Sequence, residues 1–219
     1  MSKIPSDPWS HLCWPETKIK FNIEELLHIY NTVFSKYERV SQAWKNSPPD
    51  QGYKGIGFQG FNDSDIKNAP LYGNLKKNPV TNKPELLPPE ILEQHLQDQM
   101  KLNVRHKELC VGEFARILDF LEEEGWHTHR ARIMELTPYT RRNWHVDSWP
   151  GLLGNNVRFH VPLLTNDEVY LRWYEEGKLY NYHVKADGTP IWFNSDVNHQ
   201  YVNEGPTLRA HIIIDVIKK

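Results

Sequence analysis

The sequence predicts a mainly β protein with N-terminal helices, whose β part is a sandwich, a jelly roll or a barrel. The first observation is a change of pattern at Gly125: amphipathic helices are predicted before it and short strand-like runs after it. The second is the regular spacing of turn signals between those runs, at Thr137-Pro138, Glu176-Gly177 and Asp187-Gly188. The third is alternation of apolar and polar residues within single runs, which is typical of strands with one face in a core.

Two helices are predicted in the first half of the chain. Asn22 and Glu25 form a capping pair that opens the first helix. An apolar stripe then continues at helical spacing over residues 23–44, and we expect it to pack on a sheet. A second stripe, over residues 110–121, predicts a helix that ends at Gly125, a residue typical of helix C-terminal caps.

These patterns divide the chain into a helical, loop-rich region at residues 1–125 and a β core at residues 126–219, which we expect to form one integrated domain. A chain of 219 residues folded in this way can bury roughly 70% of its unfolded surface. Residues 46–90 contain seven Pro and five Gly. A stretch of this length without regular structure is often functional or a lid, and we expect one of these roles here.

Composition limits the partners and the compartment. The formal net charge is −2, which does not favour nucleic acid or an anionic membrane as a partner. The two cysteines, Cys13 and Cys110, lie far apart and show no disulfide framework. The sequence has neither the apolar run of a secretory signal near its start nor any stretch of 18 apolar residues. We therefore expect a cytoplasmic protein without a membrane span.

Three residues after Gly125 have the composition of a metal site. His145 and Asp147 are two residues apart, so on an extended strand both side chains point to the same side. His199 can complete a set of two imidazoles and one carboxylate, which leaves open positions on a metal and suits ferrous iron in oxygen chemistry. Taken alone, the three residues are equally well interpreted as surface or hydrogen-bonded side chains.

The strands around this motif carry charged groups on otherwise apolar runs. In residues 157–163, Arg158 and His160 alternate with apolar residues, and Arg209 begins another apolar run. Charged side chains are costly to bury unless they are paired, so these strands predict a polar cavity inside a β structure. Arg209 would offer a planar fork to a carboxylate there. His183 and His211, on further predicted strands, are expected to be ordinary sheet or rim histidines.

Residues 138–216 resemble the aspartyl/asparaginyl β-hydroxylase-like branch of the iron(II)- and 2-oxoglutarate-dependent dioxygenases, which also includes bacterial proline hydroxylases. The matching positions are Pro138 seven residues before His145, Arg158-x-His160, Phe193 six residues before His199, and Arg209 ten residues after His199. The resemblance covers a little over a third of the chain. It implies a double-stranded β-helix, the jelly roll of cupin-like proteins, and it implies iron(II), 2-oxoglutarate and dioxygen as cofactor and co-substrates.

The resemblance also implies residue roles. His145 and His199 would bind iron together with Asp147, while Arg209, assisted by His160, would bind the carboxylates of 2-oxoglutarate. Further predicted substrate contacts are a carboxylate bound by Arg158 and a pocket wall formed by Trp149. The alternative for Arg158 is an ion pair with an acidic residue at the barrel rim.

The expected function is hydroxylation of a carboxylate-bearing small molecule, a free amino acid or an amino-acid derivative, with succinate and carbon dioxide as co-products. Animal members of the branch act on aspartyl and asparaginyl residues and have Gly where this chain has Asp147, and a Ser of theirs falls at Met134. The alternatives are a hydroxylase of Asp, Asn or other residues in a protein or peptide, and a metal cupin without 2-oxoglutarate, either an isomerase or a dioxygenase. A non-catalytic binding module is a further alternative.

Overall fold

The computed structural model describes residues 12–41, 52–63, 101–147 and 157–218. In these ranges the chain forms two α-helices, a short 3-10 helix and thirteen β-strands. The stretch predicted to lack structure, residues 46–90, is described only over 52–63, and Trp149 lies outside the described residues. No helix in the described ranges is long and apolar enough to cross a membrane.

The helices are α1 (Ile23–Thr32) and α2 (Glu113–Glu123), and the 3-10 helix at Phe34–Lys36 follows α1. The strands before α2 are β1 (Cys13–Pro15), β2 (Val40–Ser41), β3 (Tyr53–Gly57), β4 (Gln59–Gly60) and β5 (Val104–Arg105). The strands after α2 are β6 (Trp126–Leu136), β7 (Thr140–Arg141), β8 (Val157–Leu164), β9 (Val169–Glu175), β10 (Lys178–His183), β11 (Ile191–Asn194), β12 (His199–Asn203) and β13 (Arg209–Lys218).

Two antiparallel sheets form the body of the protein. The larger sheet has the strand order β1-β11-β8-β13-β6-β3-β2, and the smaller one has the order β10-β9-β12-β7. Successive strands leave one sheet and enter the other, as β8 and β9 do, and this exchange is the topology of a jelly roll. The predicted fold, mainly β with N-terminal helices and a double-stranded β-helix, is therefore confirmed.

The helices cover the outer face of the larger sheet. On β8, Phe159 and Val161 belong to the apolar core that also contains the buried side chains of α1 and α2. Arg158 and His160 alternate with them, as the sequence predicts, and point to the opposite face. Each fully buried Leu, Ile or Phe of such a core stabilises the fold by about 1.5–3 kcal/mol. The outer core therefore leaves the inner face of the sheet available for polar groups.

The helix ends follow local chemistry. The Asn22 side chain accepts a hydrogen bond from the Glu25 amide at 3.2 Å, so the predicted cap of α1 is confirmed. The helix stops at Thr32, well before the end of the stripe predicted over residues 23–44, because Asn, Thr and Val occupy residues 31–33 and favour helices weakly. Gly125, with φ +81°, follows the end of α2 in the left-handed conformation expected of a C-terminal cap.

Part of the stretch predicted to lack structure is a strand of the larger sheet. β3 pairs with β6, and Gly55 lies opposite Met134. A Cβ atom at Gly55 would lie 2.5 Å from the Met134 sulfur, so glycine permits the close approach of these two strands. The glycine-rich sequence of this segment had suggested a loop instead. β1 and β3 thus join residues 1–125 to strands of residues 126–219. The boundary at residue 125 stays a prediction.

The space between the two sheets has an apolar and a polar part. Leu171, Trp173, Phe193 and Tyr201 belong to the apolar cluster of this inner core. The buried charged and imidazole side chains on the inner-face positions of the larger sheet include Arg132, His160, Arg209, His211 and Asp215. Since buried charges are stable only when they are paired or bind a ligand, this polar part is where a functional site is expected.

Candidate metal centre and anion pocket

The structure brings His145, Asp147 and His199 together, with one ligand atom from each residue within 4.8 Å of the others. His145 and His199 lie opposite each other in an antiparallel bridge, with backbone N–O distances of 3.0 and 2.9 Å. The Asp147 amide donates to the Ser195 carbonyl at 3.1 Å, which holds the third residue beside them. Asp147 Oδ2 lies 3.7 Å from His145 Nε2 and 3.4 Å from His199 Nε2.

The two imidazoles are held in place through their Nδ1 atoms. His145 Nδ1 donates to the Asn143 carbonyl at 2.7 Å, and His199 Nδ1 donates to the Val197 carbonyl at 2.8 Å. Burial lowers the pKa of His145 to about 4, so this ring is neutral and its Nε2 carries a lone pair. His199 Nε2 is buried and lies 3.4 Å from the Asp147 carboxylate. The lone pair of His145 Nε2, the Nε2 atom of His199 and a carboxylate oxygen thus lie close together, and a metal cation fits this arrangement.

Asp147 is held in place by a network of buried charges. Arg158 Nη1 donates to Asp147 Oδ2, and Arg158 Nε donates to Asp215 Oδ1 at 2.7 Å. The other oxygen of Asp215 accepts from Arg130 Nε at 2.5 Å and from Arg132 Nη1 at 2.9 Å. The Asp215 carboxylate therefore accepts hydrogen bonds from three guanidinium groups. Arg158 connects it to Asp147 of the His-Asp-His cluster.

These charges set the protonation states of the carboxylates. Burial alone would raise the pKa of Asp147, but Arg158 outweighs that effect and holds the pKa well below its usual range. Burial would likewise raise the pKa of Asp215, and Arg130 and Arg132 reverse it. Asp147 is consequently a carboxylate at any physiological pH, which is the form that binds a metal.

Arg209 forms a second polar site deeper in the same interior. Its side chain is 1% exposed, its guanidinium lies 5.0 Å from the centre of the Tyr201 ring, and one nitrogen donates to the Met134 carbonyl at 3.4 Å. Within the described part of the chain no carboxylate pairs with it. Burial lowers the pKa of Arg209. A buried guanidinium without a carboxylate partner suits an anionic ligand.

His160 lies next to this guanidinium. Its ring stacks on Tyr201 with 5.7 Å between centroids, and its Nε2 lies 3.3 Å from the Tyr201 hydroxyl. Burial, reinforced by Arg209, holds the pKa of His160 well below its usual range, so the ring is neutral. Its Nδ1 is buried without a hydrogen-bond partner. His160 and Arg209 thus share one neighbour, Tyr201, and both offer unsatisfied polar atoms to the interior.

Three participants were not identified from the sequence. Tyr201 lies two residues after His199 on β12, so strand alternation could have placed it on the same face. Asp215 pairs with arginines more than 80 residues away in the chain, and no local pattern indicates these contacts. His211 was expected to be an ordinary sheet histidine, whereas the structure places it in direct contact with Arg209.

Two packed antiparallel sheets thus enclose a His-Asp-His cluster and a buried arginine that has no carboxylate partner among the described residues, and this arrangement suits a jelly-roll protein with a metal and an anion close together. The sequence profile of the family described as aspartyl/asparaginyl β-hydroxylase matches residues 95–219, more than half of the chain. The chain belongs to this family, and the resemblance seen in the sequence is confirmed. It is an enzyme, a hydroxylase of the iron(II)- and 2-oxoglutarate-dependent dioxygenase class, which uses iron(II), 2-oxoglutarate and dioxygen.

Two solved structures have a similar fold. A prolyl-4-hydroxylase from Pseudomonas putida is 12% identical with a TM-score of 0.50, over 96% of this chain and 95% of that chain. A prolyl hydroxylase from Trichoplax adhaerens, in complex with a hypoxia inducible factor peptide fragment, is 12% identical with a TM-score of 0.51, over 94% of this chain and 84% of that chain. At these identities the similarity shows a shared fold alone. No curated protein matches the sequence.

Proposed function

We propose that this enzyme hydroxylates a carboxylate-bearing small molecule, a free amino acid or an amino-acid derivative, and forms succinate and carbon dioxide as co-products. The observation that carries the proposal is the combination of two incomplete sites in one interior. His145, Asp147 and His199 bring three metal-ligating atoms within 4.8 Å of one another, and this cluster suits a cation. Arg209 is buried without a counter-charge in the described residues and requires an anion.

Tyr201 connects the two sites. Its ring centroid lies 5.6 Å from that of His199 and 5.0 Å from the Arg209 guanidinium, so the two sites are one aromatic ring apart. A small dicarboxylate whose one end reaches the metal and whose other end reaches Arg209 suits this spacing. 2-Oxoglutarate, with a keto acid at one end and a carboxylate at the other, has this chemistry.

Each group then has a defined task. His145, Asp147 and His199 would hold iron(II), and their Nδ1 hydrogen bonds to backbone carbonyls fix the imidazoles in the metal-binding tautomer. Arg209, assisted by His160, would bind the distal carboxylate of 2-oxoglutarate. When bound, iron(II) supplies the redox chemistry that uses dioxygen to oxidise a C–H bond. Phe193, whose ring lies 4.9 Å from that of His199, excludes water from one side of the triad.

The predicted substrate contact, Arg158, is supported by the charge balance around it. The structure has Arg158 between Asp147 and Asp215, which corresponds to the ion-pair alternative. A bound metal would share the charge of Asp147 and leave Arg130, Arg132 and Arg158 with Asp215 as their carboxylate partner. This excess of positive charge beside the metal favours a substrate carboxylate. The substrate role of Arg158, like that of Trp149, stays a prediction.

A second candidate is hydroxylation of an aspartyl, asparaginyl or other residue in a protein or peptide. The name of the family supports it, and so does an exposed aromatic pair beside the triad. Trp144 and Tyr174 lie with 5.1 Å between ring centroids and are 37% and 49% exposed. Such a surface next to His145 suits a substrate larger than an amino acid. A metal cupin without 2-oxoglutarate would leave the buried Arg209 without a function.

Anaerobic titration of the metal-free protein with iron(II) and then 2-oxoglutarate tests the assignment. We expect stoichiometric iron binding, followed by a visible charge-transfer band that requires both ligands on one metal. His145→Ala and His199→Ala should each abolish iron binding, while Asp147→Gly should weaken it. Arg209→Ala should keep iron binding and weaken 2-oxoglutarate binding about 10- to 150-fold, as expected for loss of a charge-assisted bond. Arg209→Lys should restore part of it.

Succinate formation then distinguishes the substrates. Free amino acids and short peptides that contain the same residues would be compared as substrates under identical conditions. Turnover of peptides alone would favour the second candidate. An unchanged 2-oxoglutarate affinity in Arg209→Ala would contradict the anion pocket, and full activity in both histidine variants would place the metal elsewhere.

A further inference from the structure

Two arginines of the described ranges differ from all the others in their charge partners. Every arginine that the structure describes forms an ion pair with an Asp or Glu side chain, except Arg142 and Arg209. Arg209 already has a proposed ligand, the co-substrate. Arg142 lies three residues before His145 and has none.

The backbone of Arg142 is held against β12, beside the residues that line the interior. Its N–H group donates to the Tyr201 carbonyl at 2.9 Å, and its carbonyl accepts from Gln200 Nε2 at 2.6 Å. The preceding residue, Arg141, is 63% exposed and pairs with Glu204 at 2.6 Å. Successive side chains on an extended chain point to opposite sides, and Arg142 is half-buried. The two neighbouring arginines therefore serve different faces of the smaller sheet.

The Arg142 side chain packs on an aromatic ring that belongs to the interior. Its guanidinium carbon lies 4.4 Å from the centre of the Tyr53 ring, and Tyr53 packs against the inner apolar cluster. Tyr53 is also near Arg209, because it is the first of the groups that oppose the lowering of the Arg209 pKa by burial. A guanidinium whose face rests on a ring keeps its N–H donors, which lie in its plane, for a ligand.

Arg142 lies on the side from which solvent reaches the metal cluster. The side chains of His145 and Asp147 are 28% and 21% exposed, whereas that of His199 is 0% exposed. Burial is the main cause of the low pKa of His145, and the charge of Arg142 adds to it, so this charge acts at the cluster. Arg209, at 1% exposed, lies deeper. The more accessible of the two arginines without a carboxylate partner is thus Arg142.

We propose that Arg142 binds the carboxylate of the molecule that is hydroxylated, and that Tyr53 is a positioning residue that holds the guanidinium in place. The inference rests on the proposed function, because it concerns the substrate of that reaction. Arg142 has free donors for a carboxylate, whereas those of Arg158 contact Asp147 and Asp215. The enzyme then selects acids over amides of the same shape.

Two neighbouring positions give a matched test. Arg142→Gln keeps most of the side chain and removes the charge, and Arg141→Gln makes the same change on the outer face. Both variants and the wild type are loaded with zinc in place of iron and with 2-oxoglutarate. The probes are the proteinogenic amino acids and the amides formed at each of their carboxyl groups. Calorimetry gives the ratio of the dissociation constants of amide and acid, and no turnover is required.

We expect the wild type to bind at least one free amino acid about 10-fold or more tightly than one of its amides, as for a hydrogen bond to a charged group. Arg142→Gln should reduce this preference to within about 2-fold, and Arg141→Gln should retain it. Arg142→Lys, which keeps the charge without the planar fork, should retain part of it. Tyr53→Phe should keep the preference and Tyr53→Leu should reduce it, because the ring carries the contact. Zinc and 2-oxoglutarate affinities should stay within about 2-fold in both arginine-to-glutamine variants.

Several outcomes would overturn the inference. One is an acid preference that Arg142→Gln leaves unchanged, and another is an equal loss in Arg141→Gln and Arg142→Gln, which would reflect net charge alone. A wild type that binds 2-oxoglutarate but binds no free amino acid more tightly than its amides would exclude a carboxylate subsite. Equal preferences in Tyr53→Leu and the wild type would remove the role of Tyr53. A wild type that does not bind 2-oxoglutarate at all would contradict the proposed function itself, and the inference with it.

Discussion

Replacement of Asp215 by Asn is the most informative perturbation of the buried charge network. Asp215 is 8% exposed and accepts hydrogen bonds from Arg130, Arg132 and Arg158. Asn has nearly the same shape but no charge, so three buried guanidinium groups would lose their common carboxylate. Breaking a buried ion pair by removing one partner costs about 3–5 kcal/mol, and here three pairs share that partner.

The expected result is a fall in the free energy of unfolding of at least about 3 kcal/mol. For a protein of this size each kcal/mol corresponds to about 2–4 °C in melting temperature, so the transition should shift by about 6 °C or more. Calorimetry and denaturant unfolding measure both quantities. Asp119→Asn is a matched control, because Asp119 pairs with Arg105 at 2.6 Å but its side chain is 53% exposed, and we expect a loss below about 1 kcal/mol.

The pH dependence gives the prediction a second test. Because the folded-state pKa of Asp215 lies below its unfolded value of 3.8, its contribution to stability is present above about pH 4 and is lost as the pH falls through the folded pKa. The stability difference between the wild type and Asp215→Asn should therefore shrink only in strong acid. Equal losses in Asp215→Asn and Asp119→Asn at neutral pH would refute the network as a source of stability.

Two further predictions concern other parts of the fold. Burial lowers the pKa of His129 to about 4 from 6.5, so between these values the unfolded chain binds a proton that the folded protein does not. The free energy of unfolding should fall as the pH drops through this window, and His129→Gln should reduce the slope of unfolding free energy against pH by up to about 1.4 kcal/mol per pH unit. An unchanged slope in His129→Gln would contradict the prediction. Gly188 and Gly177 both have positive φ, but a Cβ would lie 2.1 Å from the Phe21 carbonyl oxygen only at Gly188. Gly177→Ala should cost about 1–2 kcal/mol in unfolding free energy, and Gly188→Ala should cost clearly more; equal losses would contradict the clash.

Patterns within a single strand or helix could be predicted from the sequence. Alternation on β8 separated Arg158 and His160 from the apolar face, and Gly125 marked the end of α2. The two-residue spacing of His145 and Asp147 also indicated a shared side, because this relation depends on backbone geometry alone. The fold class followed from the number and spacing of such local signals.

Relations between distant residues could not be predicted. Asp215 accepts hydrogen bonds from Arg130 and Arg132, which lie 85 and 83 residues earlier in the chain. Charge patterns along the sequence do not show which carboxylate a buried arginine will contact. β3 was not predicted because its glycines are typical of a loop, whereas Gly55 allows this strand to pack closely against Met134. That His211 Nε2 is buried without a hydrogen-bond partner among the described residues is a property of the packed interior, and no sequence pattern reports it.

The position of β13 has a consequence for how the protein folds during synthesis. This strand is made last among the described strands, yet it lies between β8 and β6 in the middle of the larger sheet. Until it has left the ribosome, β6 and β8 each lack a neighbour, and Arg209, His211 and Asp215 are absent from the interior. β1 must in addition wait for β11, about 180 residues later in the chain. Contacts this distant in sequence form slowly, so the larger sheet should assemble only after residues 209–218 have been synthesised, and until then its unpaired strands are exposed to aggregation.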